Sequence, residues 1–214
     1  MDVAAQVSAV RRSIQEATRN GEPARVMVIE RDLPVPAERA WAAITDDGQI
    51  PEWFLPVRGE ERRDWALYEG GHYELAGNAS GVILACEPPG RLLLTWDFGG
   101  DSSWVEVQVT PDEDRPGGCI LTLAQTASID EKSWAQFGPG AVGVGWDLAL
   151  LALARYLEGR NLGATWSGSE IGHRFIAAAS LAWGKASVIA GTPIDDAAEA
   201  VERTTQAYTG DPGS

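Results

Sequence analysis

The chain has 214 residues, 44% of them hydrophobic, with nine tryptophans and a formal net charge of −14 at pH 7. That length suits one large domain, or one of about 150 residues plus an appendage. An excess of 31 acidic over 17 basic side chains argues against nucleic acid and anionic membranes as partners, and acids spread along the chain serve solubility.

Cys86 and Cys119 belong to no CxxC motif and have no histidine cluster beside them, so no metal is expected. Met1–Asn20 lacks the continuous apolar core of a signal peptide. No apolar run approaches the ~20 residues that cross a bilayer. Two free thiols fit a reducing, cytoplasmic setting.

Val3, Val7, Val10 and Ile14 recur at helical spacing and predict a helix over Asp2–Asn20, stopped by Asn20-Gly21. Arg25–Leu33 alternates, apolar on both sides near its start, as a strand well inside a sheet does. After Pro34-Val35-Pro36 a helix runs through Ala40, Trp41 and Ile44 to Asp46-Asp47-Gly48, and a shorter one covers Gln49–Trp53. Arg58–Glu69 is charged and weakly patterned, an edge strand or a loop. His72–Leu75 reads as a short strand with Tyr73 and Leu75 facing one way and His72 facing solvent.

Gly81–Trp96 holds two apolar runs of strand length around Pro88-Pro89-Gly90. Neither proline can donate to a ladder, so pairing breaks there, and a hairpin at the centre of a sheet is expected. Ser103–Thr110 alternates Val105, Val107 and Val109 against Trp104, Glu106 and Gln108, and Cys119–Ala127 sets Leu121, Leu123 and Gln125 on one face. The period then changes. Trp146, Leu150, Leu153 and Leu157 form one stripe of a long helix, Pro139–Leu157, whose polar strip is only Asp147, Arg155 and Glu158. So narrow a strip predicts a helix covered on two sides. Gly159–Thr165 is a linker. Ser167 and Glu170 have capping-box spacing and open a helix to about Ala190, with Phe175, Ala179, Ala182 and Ile189 on a face. Pro193–Tyr208 forms another, and the two helices are expected to supply the second cover.

In this order the Gly81–Trp96 hairpin, Arg31, Val35, Pro36 and Trp41, Trp53-Phe54, Gly70-Gly71 before Tyr73, Leu121-Thr122-Leu123 after Gly117-Gly118, and Gly145-Trp146 through Gly159 resemble the activator of heat-shock-chaperone ATPase-like family. That family lies within the START and polyketide-cyclase-like superfamily. The likeness covers about Arg25–Gly159. It implies an α+β helix-grip fold, a curved antiparallel sheet wrapped around a long C-terminal helix, with 25–160 as the ligand-binding domain; helical spacing makes residues 1–24 an N-terminal helix and 161–214 a helical extension. Gln125 stands where the family often has His, and the extension exceeds the usual family unit. In the implied strand order Cys86 and Cys119 are two strands apart, roughly 14 Å at ~4.8 Å per strand, too far for a disulfide.

The resemblance implies a cavity between sheet and long helix. Its candidate lining is Tyr73, Leu92, Leu94, Trp96, Val105, Val107, Leu121, Leu123 and Gln125, with Trp53, Phe54 and Trp146 closing mouth or floor. Periodicity does not separate this from a solid core of the same residues. A buried carboxamide at Gln125 requires partners, in the core or on a ligand. The acid–base inventory is thin: His72 is expected outside, His173 lies in the extension, and Asp97 and Asp101 flank a Phe98-Gly99-Gly100 turn. No cofactor is implied. Three functions remain open: binding a small hydrophobic or aromatic molecule without covalent chemistry, a cyclase- or aromatase-type enzyme using Tyr73, Gln125 and Asp147, and a protein-binding module whose C-terminal helices meet a chaperone or form a homodimer.

Overall fold

The computed structural model describes residues 1–19, 21–57, 68–128 and 130–210. Its strands are β1 (Val10–Arg19), β2 (Glu22–Leu33), β3 (His72–Glu74), β4 (Ser80–Glu87), β5 (Arg91–Phe98), β6 (Asp101–Pro111) and β7 (Cys119–Ser128). They form one unclosed antiparallel sheet in the order β1-β2-β7-β6-β5-β4-β3. The helices are α1 (Val3–Ser8), α2 (Ala37–Thr45), α3 (Ile50–Trp53), α4 (Glu131–Phe137), α5 (Gly140–Leu157), α6 (Glu170–Ile189) and α7 (Ile194–Thr209). Sheet and helix order define an α+β helix-grip fold with two further C-terminal helices.

Several expectations are corrected. The single helix over Asp2–Asn20 is a short α1 followed by strand β1. Val10 and Ile14 lie four apart, a spacing common to the helical and the two-residue period, and Arg12 between them is also turned inward. The hairpin β4–β5 lies towards the β3 edge, and the middle strand is β6. Ser169, not Ser167, caps α6, its hydroxyl accepting from the Gly172 amide at 3.1 Å. Ile189, placed on the apolar face of α6, is 87% exposed. Most of the charged stretch 58–69 lies outside the described residues. By length and composition the 18-residue α5 could cross a membrane, and 56% of it is buried within the fold, as for a core helix.

Two compact units divide the chain, Met1–Ile29, Ser128–Leu151 and Leu162–Ser214 against Glu30–Ala127 and Ala152–Asn161. In the first, the amino-terminal part of α5 packs with α6 and α7. The Trp183 ring of α6 lies against Gly143, where an added Cβ would sit 2.3 Å from the ring. The Tyr208 hydroxyl of α7 donates to the Ala141 carbonyl at 2.8 Å. The second cover, expected over Trp146–Leu157, is thus seen at the amino-terminal end of α5, at Ala141, Gly143 and Asp147. Asp147, assigned to a polar strip, is instead fully buried. Arg12 of β1 donates to it through Nε at 3.0 Å and Nη2 at 2.5 Å, and the Trp183 indole donates at 2.8 Å. Burial of a carboxylate is tolerable only with such partners.

In the second unit α2 packs on β6. The end of α5 is fixed to the α2–α3 corner by Tyr156, whose hydroxyl donates to Gln49 at 3.1 Å, and by Asn161, which donates to the Glu52 carbonyl. Asp147→Ala, which strands the Arg12 charge, should cost about 3–5 kcal/mol in urea unfolding. Adding Arg12→Met to Asp147→Leu should recover part of that loss; equal stability of the native chain and Asp147→Ala would refute the pairing.

Candidate functional site

Directly opposed residues of an antiparallel pair project from the same face. Leu94 opposes Val105, which opposes Gln125; Leu92 opposes Val107, which opposes Leu123; Trp96 opposes Ser103. Leu121 precedes Leu123 by two residues and shares its face. Tyr73 opposes Gly81, and Ile83, two residues on, opposes Leu94. The second unit thus collects Tyr73, Leu92, Leu94, Trp96, Val105, Val107, Leu121, Leu123 and Gln125 on one face. Trp96 and Val107 are half-buried there, among neighbours that are buried.

A polar line crosses this face. Gln125 Nε2 donates to Ser103 Oγ at 2.9 Å, and Ser103 Oγ donates to the Trp96 carbonyl at 3.3 Å. Ser103 was missed from the sequence, although it is in phase with Val105. The Tyr73 hydroxyl donates to the Thr95 carbonyl at 2.6 Å, and its ring centre lies 6.3 Å from that of Trp96. Only glycine fits at position 81, where a Cβ would stand 2.2 Å from the Thr95 carbonyl oxygen. Burial, then the charge of Asp97, pushes the Tyr73 phenol up, so at neutral pH it is a neutral donor.

Trp53 and Phe54 are stacked with ring centres 5.3 Å apart, and the Trp53 indole donates to the Ala43 carbonyl at 2.9 Å. Helix α2 therefore positions this pair. Trp146 lies in the first unit, half-buried on α5.

Acid–base groups lie elsewhere. His72 is exposed on β3, and His173 is on α6 in the other unit. Asp97 is exposed and accepts from Ser102 at 2.5 Å. Among the described residues no group of three metal-ligating side chains occurs. The polar side chains that β3, β6 and β7 bring to the face are an amide, a hydroxyl and a phenol, which can orient an uncharged group; Arg31 of β2 is also buried in this unit.

The first unit contains a cavity of about 780 Å³ lined from β1, β2, α4, α6 and α7. None of the residues expected at the ligand site lines it.

These features place the chain among helix-grip proteins. The family profile for Activator of Hsp90 ATPase homolog 1-like protein matches residues 34–158, and the chain belongs to that family. CalU16 from Micromonospora echinospora is similar in its crystal structure, at 30% identity over 83% of this chain and 98% of CalU16, with a TM-score of 0.64. Its solution structure gives 31%, 86%, 97% and 0.67 respectively. DynU16, a protein of the dynemicin biosynthetic locus, shares the fold at 23% identity over 64% of this chain and 48% of its own, with a TM-score of 0.52. No curated protein matches the sequence.

Cys86 on β4 and Cys119 on β7 are free, with β5 and β6 between them. Burial, then Asp112 and Glu38, raises the Cys119 thiol to about 11; burial, then Glu87, raises that of Cys86. Both should react with Ellman's reagent after unfolding without reductant, and Cys119 should be silent in the native protein at pH 8. Prompt native reaction of Cys119 would contradict its burial.

Proposed function

We propose that the protein binds a small, uncharged hydrophobic or aromatic molecule against the β5–β6–β7 face, without covalent chemistry. One observation supports this most directly: aliphatic side chains from three strands surround a single line of neutral hydrogen-bonding groups, Gln125 to Ser103 to the Trp96 carbonyl. Apolar area supplies affinity, and a few placed polar groups orient the ligand. Half-buried Trp96 offers a ring face beside that line, backed by the buried Tyr73 ring, and the stacked Trp53–Phe54 pair belongs to the same proposed site. Free thiols fit a cytoplasmic setting.

Native mass spectrometry of protein purified from its own host should detect a retained neutral molecule. Gln125→Leu should weaken binding of that molecule about tenfold, the scale of a lost ligand hydrogen bond. Unchanged affinity in Gln125→Leu, or turnover of the bound molecule, would reject the reading.

A second reading, docking of a protein on the C-terminal helices, is favoured by the exposure of Val188, Ile189 and Ile194 at the α6–α7 corner, the two isoleucines at 87% and 71%. Exposed apolar groups gathered at one corner are what an interface presents. A second copy of this chain is the occupant to test: sedimentation should show a dimer that Ile189→Asp with Ile194→Asp dissociates. A monomer at every concentration would remove the support for this reading.

A further inference from the structure

The cavity of the first unit is separate from the sheet face, and its walls have different chemistry. Ile14 of β1, Phe137 and Pro139 at the α4–α5 junction, and Val201 of α7 give it apolar surface. Two of its hydroxyls are already engaged: Ser180 donates to the Ile176 carbonyl at 2.9 Å and Thr204 to the Phe137 carbonyl at 2.9 Å. Ser187 and Thr192 bond to each other at 2.7 Å, and Gln15 and Arg25 add polar side chains to the lining.

Charge then selects the ligand. The lining holds three carboxylates, Glu16, Asp196 and Glu199, against one cation, Arg25. Glu199 is paired with Arg203 at 2.5 Å, and Arg25 lies over the Trp134 ring at 4.2 Å. Glu16 on β1 and Asp196 on α7 are exposed and have no hydrogen-bond or ion-pair partner among the described residues. A volume near 780 Å³ falls in the range that encloses a drug-sized molecule. We propose that this cavity binds an amphipathic organic cation, a ring-bearing amine or quaternary ammonium. Its body rests on Ile14, Phe137 and Val201, and its charge is met by Glu16 and Asp196. The field of a chain carrying −14 favours arrival of such a ligand. An anion of the same shape would face the same carboxylates.

The test titrates the full chain with two cationic aromatic probes, berberine and thioflavin T, and with the anionic probe anilinonaphthalene sulfonate. Tryptophan indole N–H resonances are followed by NMR. The cations should bind saturably and shift the Trp134 indole but not that of Trp96. Glu16→Gln with Asp196→Asn, both exposed and so compatible with folding, should weaken them about tenfold, and added salt should do likewise. Gln125→Leu should leave cation binding intact, so this site and the sheet-face site can fail separately. The proposal is overturned if neither cation saturates below about 1 mM, if the carboxamide variant binds them as well as the native chain, if Trp96 responds in place of Trp134, or if the anion binds equally well.

Discussion

A buried carboxylate governs the first compact unit. Helix α5 is apolar around most of its circumference, yet it carries Asp147 at a position with no access to solvent. An ionised carboxyl there is sustained only by matched donors, and three come from two elements: the guanidinium nitrogens of Arg12 and the indole of Trp183. Both partners lie outside residues 34–158, the segment matched by the family profile. The segment that carries the family likeness therefore contains a charge that the flanking segments neutralise. That ties β1 and α6 to α5 physically, and the close seating of Trp183 on Gly143 adds a steric constraint at the same place. Removing either flank takes donors from this carboxylate.

On the second unit the controlling constraint is register. Because side chains alternate, a slip of one residue in β6 or β7 would carry Gln125 and the aliphatic rows to the opposite face. Asp112 holds the register at the β6–β7 turn. Its carboxylate accepts from the Asp114 and Arg115 amides and from Arg115 Nε, and Arg115 also pairs with Asp32. At the other end, the Tyr73 hydroxyl and the Val82 amide both bond to Thr95, through its carbonyl and its hydroxyl respectively. They fix β3 and β4 against β5 across the glycine at position 81. The face that gathers Trp96, Ser103 and Gln125 is thus pinned at both edges, by Asp112 and Arg115 at one and by its own Tyr73 at the other.

Much of this was legible in the sequence because two-residue alternation over β5, β6 and β7 directly encodes which residues share a face. Alternation set Val105 with Val107, and Leu121 with Leu123 and Gln125; the family resemblance joined these rows to each other and to Leu92 and Leu94. Chain order and punctuating prolines identified α2, α3 and α5. Failures came where a local pattern was degenerate or a long-range partner decided. Val10 and Ile14 satisfied a helix and a strand equally well. Asp147 looked like a solvent-facing residue because its partners lie 135 and 36 positions away, beyond the reach of any window. Ser103 escaped notice because a serine at a strand end commonly reads as turn chemistry, although its phase agreed with Val105.

The cavity of the first unit could not be read from the sequence for a related reason: it arises from what several distant elements fail to fill. Residues 14–16, 134–140, 180–204 and Arg25 are separated by most of the chain, and each alone looks like an ordinary helix or hairpin surface. Their combination matters because Glu16 and Asp196, exposed and carrying no partner among the described residues, here border a volume that Ile14, Phe137 and Val201 also line. The sheet face presents neutral donors and acceptors, with the Tyr73 phenol held protonated by its surroundings; the cavity presents net negative charge. One class of molecule cannot suit both, since a charge that gains at the cavity would be desolvated on the sheet face without a counterion.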